Sequence, residues 1–189
     1  MMCRSLALFL FCLSAGVLPV RGQDPAPASP AVDPEIRALV DRFFATQMAE
    51  DADGYLALWS STAQRPTLAQ LRFVFDTGDD EFSDVAIDRV VQVGERIRVR
   101  VFATRNRTDS KNMRPDGTPY RYRTRMIEAL TLVREDGALK IASEGSPADD
   151  LATAILQVPD AAARAALMEA EPDLVGEGLI AAVSRAADT

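Results

Sequence analysis

The feature that most constrains this chain is a change, and then a change back, in the spacing of its apolar residues. Ile36, Leu39, Val40, Phe43, Phe44 and Met48 recur at intervals of three and four, which places them on one face of a helix. From Val85 the interval becomes two. Val85 and Ile87, then Ile97, Val99 and Val101, alternate with polar neighbours, the spacing of strands. From Leu151 to Val183 the helical interval returns. No helical segment separates one strand from the next, so the strands must pair as an antiparallel sheet. Helices, a sheet and more helices along one chain define an α+β protein.

Punctuation residues divide these segments. Asp33-Pro34-Glu35 supplies an N-cap, a proline at the first helical position and an acid in the first turn. Asp51 to Asp53 ends that helix and caps a second, carrying Tyr55, Leu56, Leu58 and Trp59. Thr67 caps a third with Leu68, Leu71, Phe73, Val74 and Phe75. Asp51-Ala52-Asp53-Gly54 also resembles the start of a calcium loop, but the closing glutamate of such a loop is missing. In the strand region, Gly94-Glu95 and Asp136-Gly137 read as tight turns. The polar stretch from Arg105 to Pro119 reads as a hairpin tip before a strand from Tyr120 to Glu135. Ser146-Pro147, Pro159-Asp160 and Pro172-Asp173 open three short, alanine-rich helices. Their apolar surface exceeds what one small sheet covers, so they are expected to form a helical subdomain or to stack on something else.

The N-terminus has its own pattern. Arg4 precedes an apolar run from Leu6 to Val20, followed by Arg21-Gly22 and polar residues. This pattern is expected to be an export signal over residues 1–22, removed by cleavage or else kept as an N-terminal anchor, followed by a Pro/Ala-rich spacer over 23–32. The expected location is the periplasm or the exterior, with no stable membrane span after cleavage. Both cysteines, Cys3 and Cys12, lie within the signal, and the chain has no histidine. The mature chain would then have no disulfide, no thiol nucleophile, no Cys/His zinc site and no Ser-His-Asp triad. No metal or cofactor is expected. The net charge of −7 argues against a general nucleic-acid binder. The charge is uneven, with eleven Lys and Arg against three acids between Arg89 and Arg125.

Three stretches carry a family resemblance: IRALVDRFFATQMAEDADGYLALWSS, FSDVAIDRVVQVGERIRVRVFATR and LTLVREDGALKIASE. Together they resemble the NTF2-like (SnoaL-like) cone proteins over residues 33–146, with Leu139 where that family often has tryptophan. The resemblance implies helices packed on a curved antiparallel sheet. It also implies a cone interior holding a carboxylate, often with a tyrosine or arginine. The histidines of the family's dehydratases have no counterpart here, and the Asp-Arg-Asp pattern of its epoxide hydrolases has no recognisable spacing. Residues 147–189 form an all-helical extension. Its stretch DDLATAILQVPDAAARAALMEAEPDLVGEGLIAAV resembles the lead-in to tetratricopeptide arrays of secreted bacterial proteins, some of which end in a CHAT domain.

Two groups of residues are candidates for function. Tyr55, Trp59, Tyr120, Tyr122 and Met126 could line a cone pocket. Glu128 interrupts the apolar phase of Met126, Leu130 and Leu132, which makes it the candidate base of a small hydrolase, isomerase or lyase. A bulge turning Glu128 outward, or a salt bridge, would explain it equally well. The second group is Arg98 and Arg100 on one strand with Arg121, Arg123 and Arg125 on another. Merged by pairing, they would form a site for a phosphate, sulfated glycan or acidic surface; otherwise they are a solvated sheet face. Scarce catalytic residues and surplus apolar helix favour a non-catalytic binding or assembly module. It would contact a protein partner or a second copy through the sheet or the C-terminal helices.

Overall fold

A computed structural model describes residues 32–187. The expected export signal and all but the last residue of the expected spacer lie outside the described residues. Helix α1 (Pro34–Met48) starts where the Asp33 carboxylate accepts from the Glu35 N–H at 2.8 Å. It buries Ile36, Leu39, Val40, Phe43 and Phe44, and Gln47 turns its amide back onto the Phe43 carbonyl. Helix α2 (Ala52–Ala57) is capped by Asp51, which accepts from the Gly54 N–H. A Cβ on Gly54 would fall 2.1 Å from that carboxylate, so the cap requires glycine. Asp51 is therefore occupied by helix capping. Helix α3 (Leu68–Phe75) has a reciprocal Thr67–Gln70 capping box but buries only Leu71.

The sheet is an antiparallel meander, β1 (Gly78–Val93), β2 (Arg96–Met113), β3 (Pro119–Glu135) and β4 (Ala138–Gly145), in chain order. The Arg105–Pro119 stretch is strand for most of its length, contrary to the expected hairpin tip. Only residues 114–118 remain as the turn. Polarity misled the sequence reading because ladder bonds join backbones, whatever the side chains. Here the polar side chains pair across strands: Arg105 and Arg107 both reach the Asp80 carboxylate at 2.6–2.7 Å. The β3–β4 turn behaves as expected, with positive φ at both Asp136 and Gly137.

The two faces of the sheet have different covers. The inner face presents Val99, Val101, Ala103, Leu130 and Leu132 to α1 and α2, and this is the main core. Bulges at Ser83/Ala86 and Ile87/Arg89 bend β1 around it. Beyond β4, Leu58–Ser60 closes the edge: the Ser60 N–H donates to the Ile141 carbonyl, and the Ile141 N–H to Leu58. This is the NTF2-like cone, helices held in a curved antiparallel sheet. The outer face is covered over half its length by α4 (Pro147–Gln157), α5 (Ala161–Ala170), a 3₁₀ turn at Pro172–Leu174, and α6 (Glu177–Ala187). Leu151, Ala152, Leu167, Leu179 and Ala182 form a second core there with Val93 of β1. Part of the apolar surface of these helices is thus buried on one another and on the back of the sheet, while Leu156, Val175 and Ile180 stay exposed. Among the described residues, no helix is long and apolar enough to cross a membrane.

Candidate functional site

The narrow end of the cone is solid. Phe43, Leu39, Leu130, Leu132 and Ile141 are all at most 1% exposed and fill it. Phe43 meets Phe44 edge-on at 5.1 Å and Tyr55 at 5.5 Å, so Tyr55 stands on an aromatic floor. Above that floor the polar groups converge. The β2–β3 register runs without a break from Ile97↔Leu132 to Asp109↔Tyr120. No bulge turns Glu128 outward. It lies opposite Val101, on the inner face, half-buried between Met126 and Leu130.

Glu144 joins it because β4 does contain a bulge. Leu132 pairs with Ile141 but Thr131 with Ser143, so Ala142 is the extra residue. The phase of β4 reverses there, and Glu144 comes opposite Leu130, on the cone side. The Tyr55 hydroxyl donates to Glu144 Oε2 at 2.5 Å. Simple alternation from Leu139 and Ile141 sends Ser143 inward and Glu144 outward, which is why sequence reading missed it. The buried Trp59 indole N–H lies close enough to the Tyr55 hydroxyl to favour its phenolate, yet short of hydrogen-bond geometry.

Two acids on one face of adjacent strands repel, and Glu128 is the more enclosed of the two. Burial first, then the Glu144 charge, pushes the Glu128 carboxyl up to about 7, against the opposing pull of Arg105. Burial raises Glu144 as well, while the Tyr55 bond lowers it. Burial and the neighbouring Glu144 raise Tyr55. Glu144 keeps an exposed flank, so water screens its shift, and Glu128 carries most of the effect. A carboxyl whose folded pKa is raised stabilises the fold fully below its unfolded value, near 4.5. That stability is lost as pH rises through about 7. Urea unfolding should therefore show a protein less stable at about pH 8 than at about pH 5, by roughly 1–2 kcal/mol after screening. Glu128→Gln should remove most of the difference; an unchanged difference would assign it elsewhere.

The other pocket candidates divide. Met126 packs at the edge of the main core. Tyr120 and Tyr122 share the inner face but lie beyond the helices, 37% and 48% exposed, stacked at 6.2 Å with Arg114 over Tyr120. They do not join Tyr55 and Trp59.

The five arginines share the outer face, as pairing requires, but they do not form one basic patch. Arg98 and Arg100 are buried beneath the C-terminal helices. Arg98 Nε meets Asp150 Oδ2 at 2.5 Å, and its Nη1 lies 2.6 Å from Glu171 Oε1. Arg100 meets Asp88 and Asp173 at 2.6 Å and Glu171 at 3.6 Å. Thr131 donates to the second Asp150 oxygen. Arg98 Nη1 meets Glu171 off the hydrogen-bond axis and has no hydrogen bond. The adjacent cavity of about 10 Å³, between Arg98, Arg100 and Glu171, has room for about one water. Of the acids in this network the sequence reading placed only Asp173, in a helix-opening turn; Asp150 and Asp173 meet arginines 52 and 73 residues away, a distance that local patterns do not span. Arg121, Arg123 and Arg125 remain exposed on the uncovered half of the face, opposite Thr108, Asn106 and Thr104. Two open cavities of about 490 and 430 Å³ lie along that half, sharing Arg123. Among the described residues no cluster of three or more acids could hold a metal ion.

This architecture places the chain in the class of NTF2-like α+β cone folds. No family model matches the sequence, and no curated protein sequence matches it. Among solved structures it is similar to Aln2 from a Streptomyces species (19% identity, TM-score 0.45, 58% of this chain and 85% of that one). It is also similar to a ketosteroid isomerase-like protein from Erwinia carotovora (17%, 0.46, 58% and 90%). A third is an NTF2-like family protein from Streptomyces avermitilis (11%, 0.44, 58% and 91%). At these identities and scores the likenesses carry nothing about activity, ligand or partner. The class rests on the helices, register and cores described above.

Proposed function

We propose that this chain is an exported, non-catalytic binding or assembly module whose working surface is the uncovered half of the sheet's outer face. The sorting of its arginines carries this reading. Arg37, Arg89, Arg98, Arg100, Arg105, Arg107, Arg134 and Arg185 each have a carboxylate partner. Arg121, Arg123 and Arg125 have none among the described residues; Arg42, Arg65, Arg72, Arg96, Arg114 and Arg164 also lack one, but only these three stand together on one face of the sheet. They stand in a row beside Phe102 and Ile127, which are 36% and 46% exposed. A face that combines uncompensated charge with accessible apolar side chains is suited to an interface. In this reading the C-terminal helices, whose sequence resembles a tetratricopeptide lead-in, cover the other half and limit where a partner can sit. A photo-crosslinking benzoylphenylalanine at position 127 tests the surface in the cells that make the protein. A covalent adduct of any protein is the expected result; its absence, with the same probe reactive in purified material, would reject the surface.

A second reading has one specific observation behind it. Glu128 near neutrality, beside the Tyr55–Glu144 bond, is the equipment of a proton-transfer enzyme in the mouth of the cone. An apolar fluorescent probe that binds the wild type and loses affinity in Tyr55→Phe would support it. Probe binding unaffected by both Tyr55→Phe and Glu128→Gln would count against it.

A further inference from the structure

We infer that the free edge of β3 is a docking site for an extended acidic peptide, which joins the sheet as an added strand. This rests on the arginine row proposed above as the working surface and names what the row holds. β4 stops short of β3: their last pair is Ala129↔Gly145, and at Ser146 the chain turns away to cap α4. Over residues 119–128, β3 therefore has β2 on one side and, among the described residues, no strand on the other. Alternate residues of an antiparallel strand turn their N–H and C=O groups to opposite neighbours, so half of the backbone groups of this segment point out of the sheet. The segment is regular, since the β2–β3 register is unbroken from Ile97↔Leu132 to Asp109↔Tyr120. Residues 120–125 are all exposed, so no described element covers them.

The side chains on the two faces of this edge select what fits it. Arg121, Arg123 and Arg125 lie on the outer face two residues apart, a repeat of about 7 Å. Their neighbours across the ladder are Thr108, Asn106 and Thr104, so β2 places no acid beside them. An added strand has the same repeat, and acids at its alternate positions stand opposite the three guanidiniums at cross-strand distance. On the inner face the same edge offers Tyr120, Tyr122 and Met126. The intervening residues of the added strand point to that face, so apolar side chains suit them. The ligand is a peptide in which acidic and apolar residues alternate. Backbone bonds supply affinity and the alternating side chains supply selection.

Other occupants fit less well. The β3 edge of a second copy would set arginine against arginine. The β1 edge of a second copy carries acids, but bulges at Ser83/Ala86 and Ile87/Arg89 interrupt its ladder, and Asp80 is already held by Arg105 and Arg107. The spacer ahead of α1 contains Pro25, Pro27 and Pro30, which lack the donors a ladder needs. A sulfated glycan would meet the arginines but leave the edge backbone unused.

Fluorescence anisotropy of a labelled peptide of alternating glutamate and valine, about eight residues long, tests this on the purified full chain. Binding should saturate below about 1 mM at low salt and weaken in about 0.5 M salt. Two methylated forms of the peptide carry the decision. N-methylation of the valine amides blocks one edge of the peptide strand, and N-methylation of the glutamate amides blocks the other. One form should lose about ten-fold or more in affinity while the other keeps it. Equal binding by the two forms would mean an anion site without a ladder and would overturn the inference, as would a failure of the parent peptide to saturate. Arg121→Glu with Arg123→Glu changes exposed positions only, and circular dichroism verifies its folding. It should weaken the parent peptide by about ten-fold or more; a folded variant that binds it unchanged would also overturn the inference. The position-127 adduct separates the two proposals. A protein adduct with no difference between the methylated forms removes the added strand and keeps the surface. Absence of both peptide binding and adduct removes both.

Discussion

Asp150→Ala should destabilise the protein by about 3–5 kcal/mol, read from the urea midpoint with the slope unchanged. The reason is what the substitution leaves behind. Asp150 is the Nε partner of Arg98 and the acceptor of the Thr131 hydroxyl, and the Arg98 side chain is only 6% exposed. Truncation leaves a buried guanidinium with Glu171 alone, held off the hydrogen-bond axis, and a buried hydroxyl without its acceptor. Removing the whole buried group is a different experiment. Arg98→Met with Asp150→Leu, Glu171→Leu and Thr131→Val leaves no buried charge or hydroxyl without its partner around Arg98, and should cost clearly less than Asp150→Ala alone. A single variant within about 1 kcal/mol of wild type would show that water reaches Arg98 and that the C-terminal helices are loosely seated.

Phe43→Ala should cost a similar amount, about 3–5 kcal/mol, by a different mechanism. Phe43 is 1% exposed and supports Tyr55, so its removal opens a cavity beneath the polar cluster. The Tyr55–Glu144 bond loses its backing, and the near-ultraviolet signal of Tyr55 and Trp59 should fall with stability. A loss below about 1.5 kcal/mol would mean that the site collapses readily onto the gap, and the cone would then be softer than its packing implies. Together the two substitutions separate the layers. The first acts on the sheet's outer cover, the second on its inner core, and neither touches the exposed arginines.

Glu128 and Glu144 show how far a sequence can be read. The phase of Glu128 was legible, since Met126, Leu130 and Leu132 fix which face of β3 it occupies, and an unbroken register kept it there. Glu144 was not legible. One extra residue in β4 reverses its phase, and no residue at 142 or 143 announces a bulge. The arginines divide in the same way. Alternation placed Arg98 and Arg100 on one face of their strand and Arg121, Arg123 and Arg125 on one face of theirs, and the pairing register made these the same face of the sheet. Their division into a buried pair and an exposed row depends on helices whose acids lie 52 to 73 residues further along the chain.

The sequence by itself determined the elements outside the Arg105–Pro119 stretch, because caps, turn glycines and apolar periods are local properties of neighbouring residues. It also determined the class, because helices followed by uninterrupted strands have few ways to bury their faces. The tertiary structure decided which charges are internal, where the acids meet, and which half of the sheet stays open. Those are long-range outcomes: a carboxylate joins Arg98, or leaves Arg123 free, only once distant segments have docked and taken the water away.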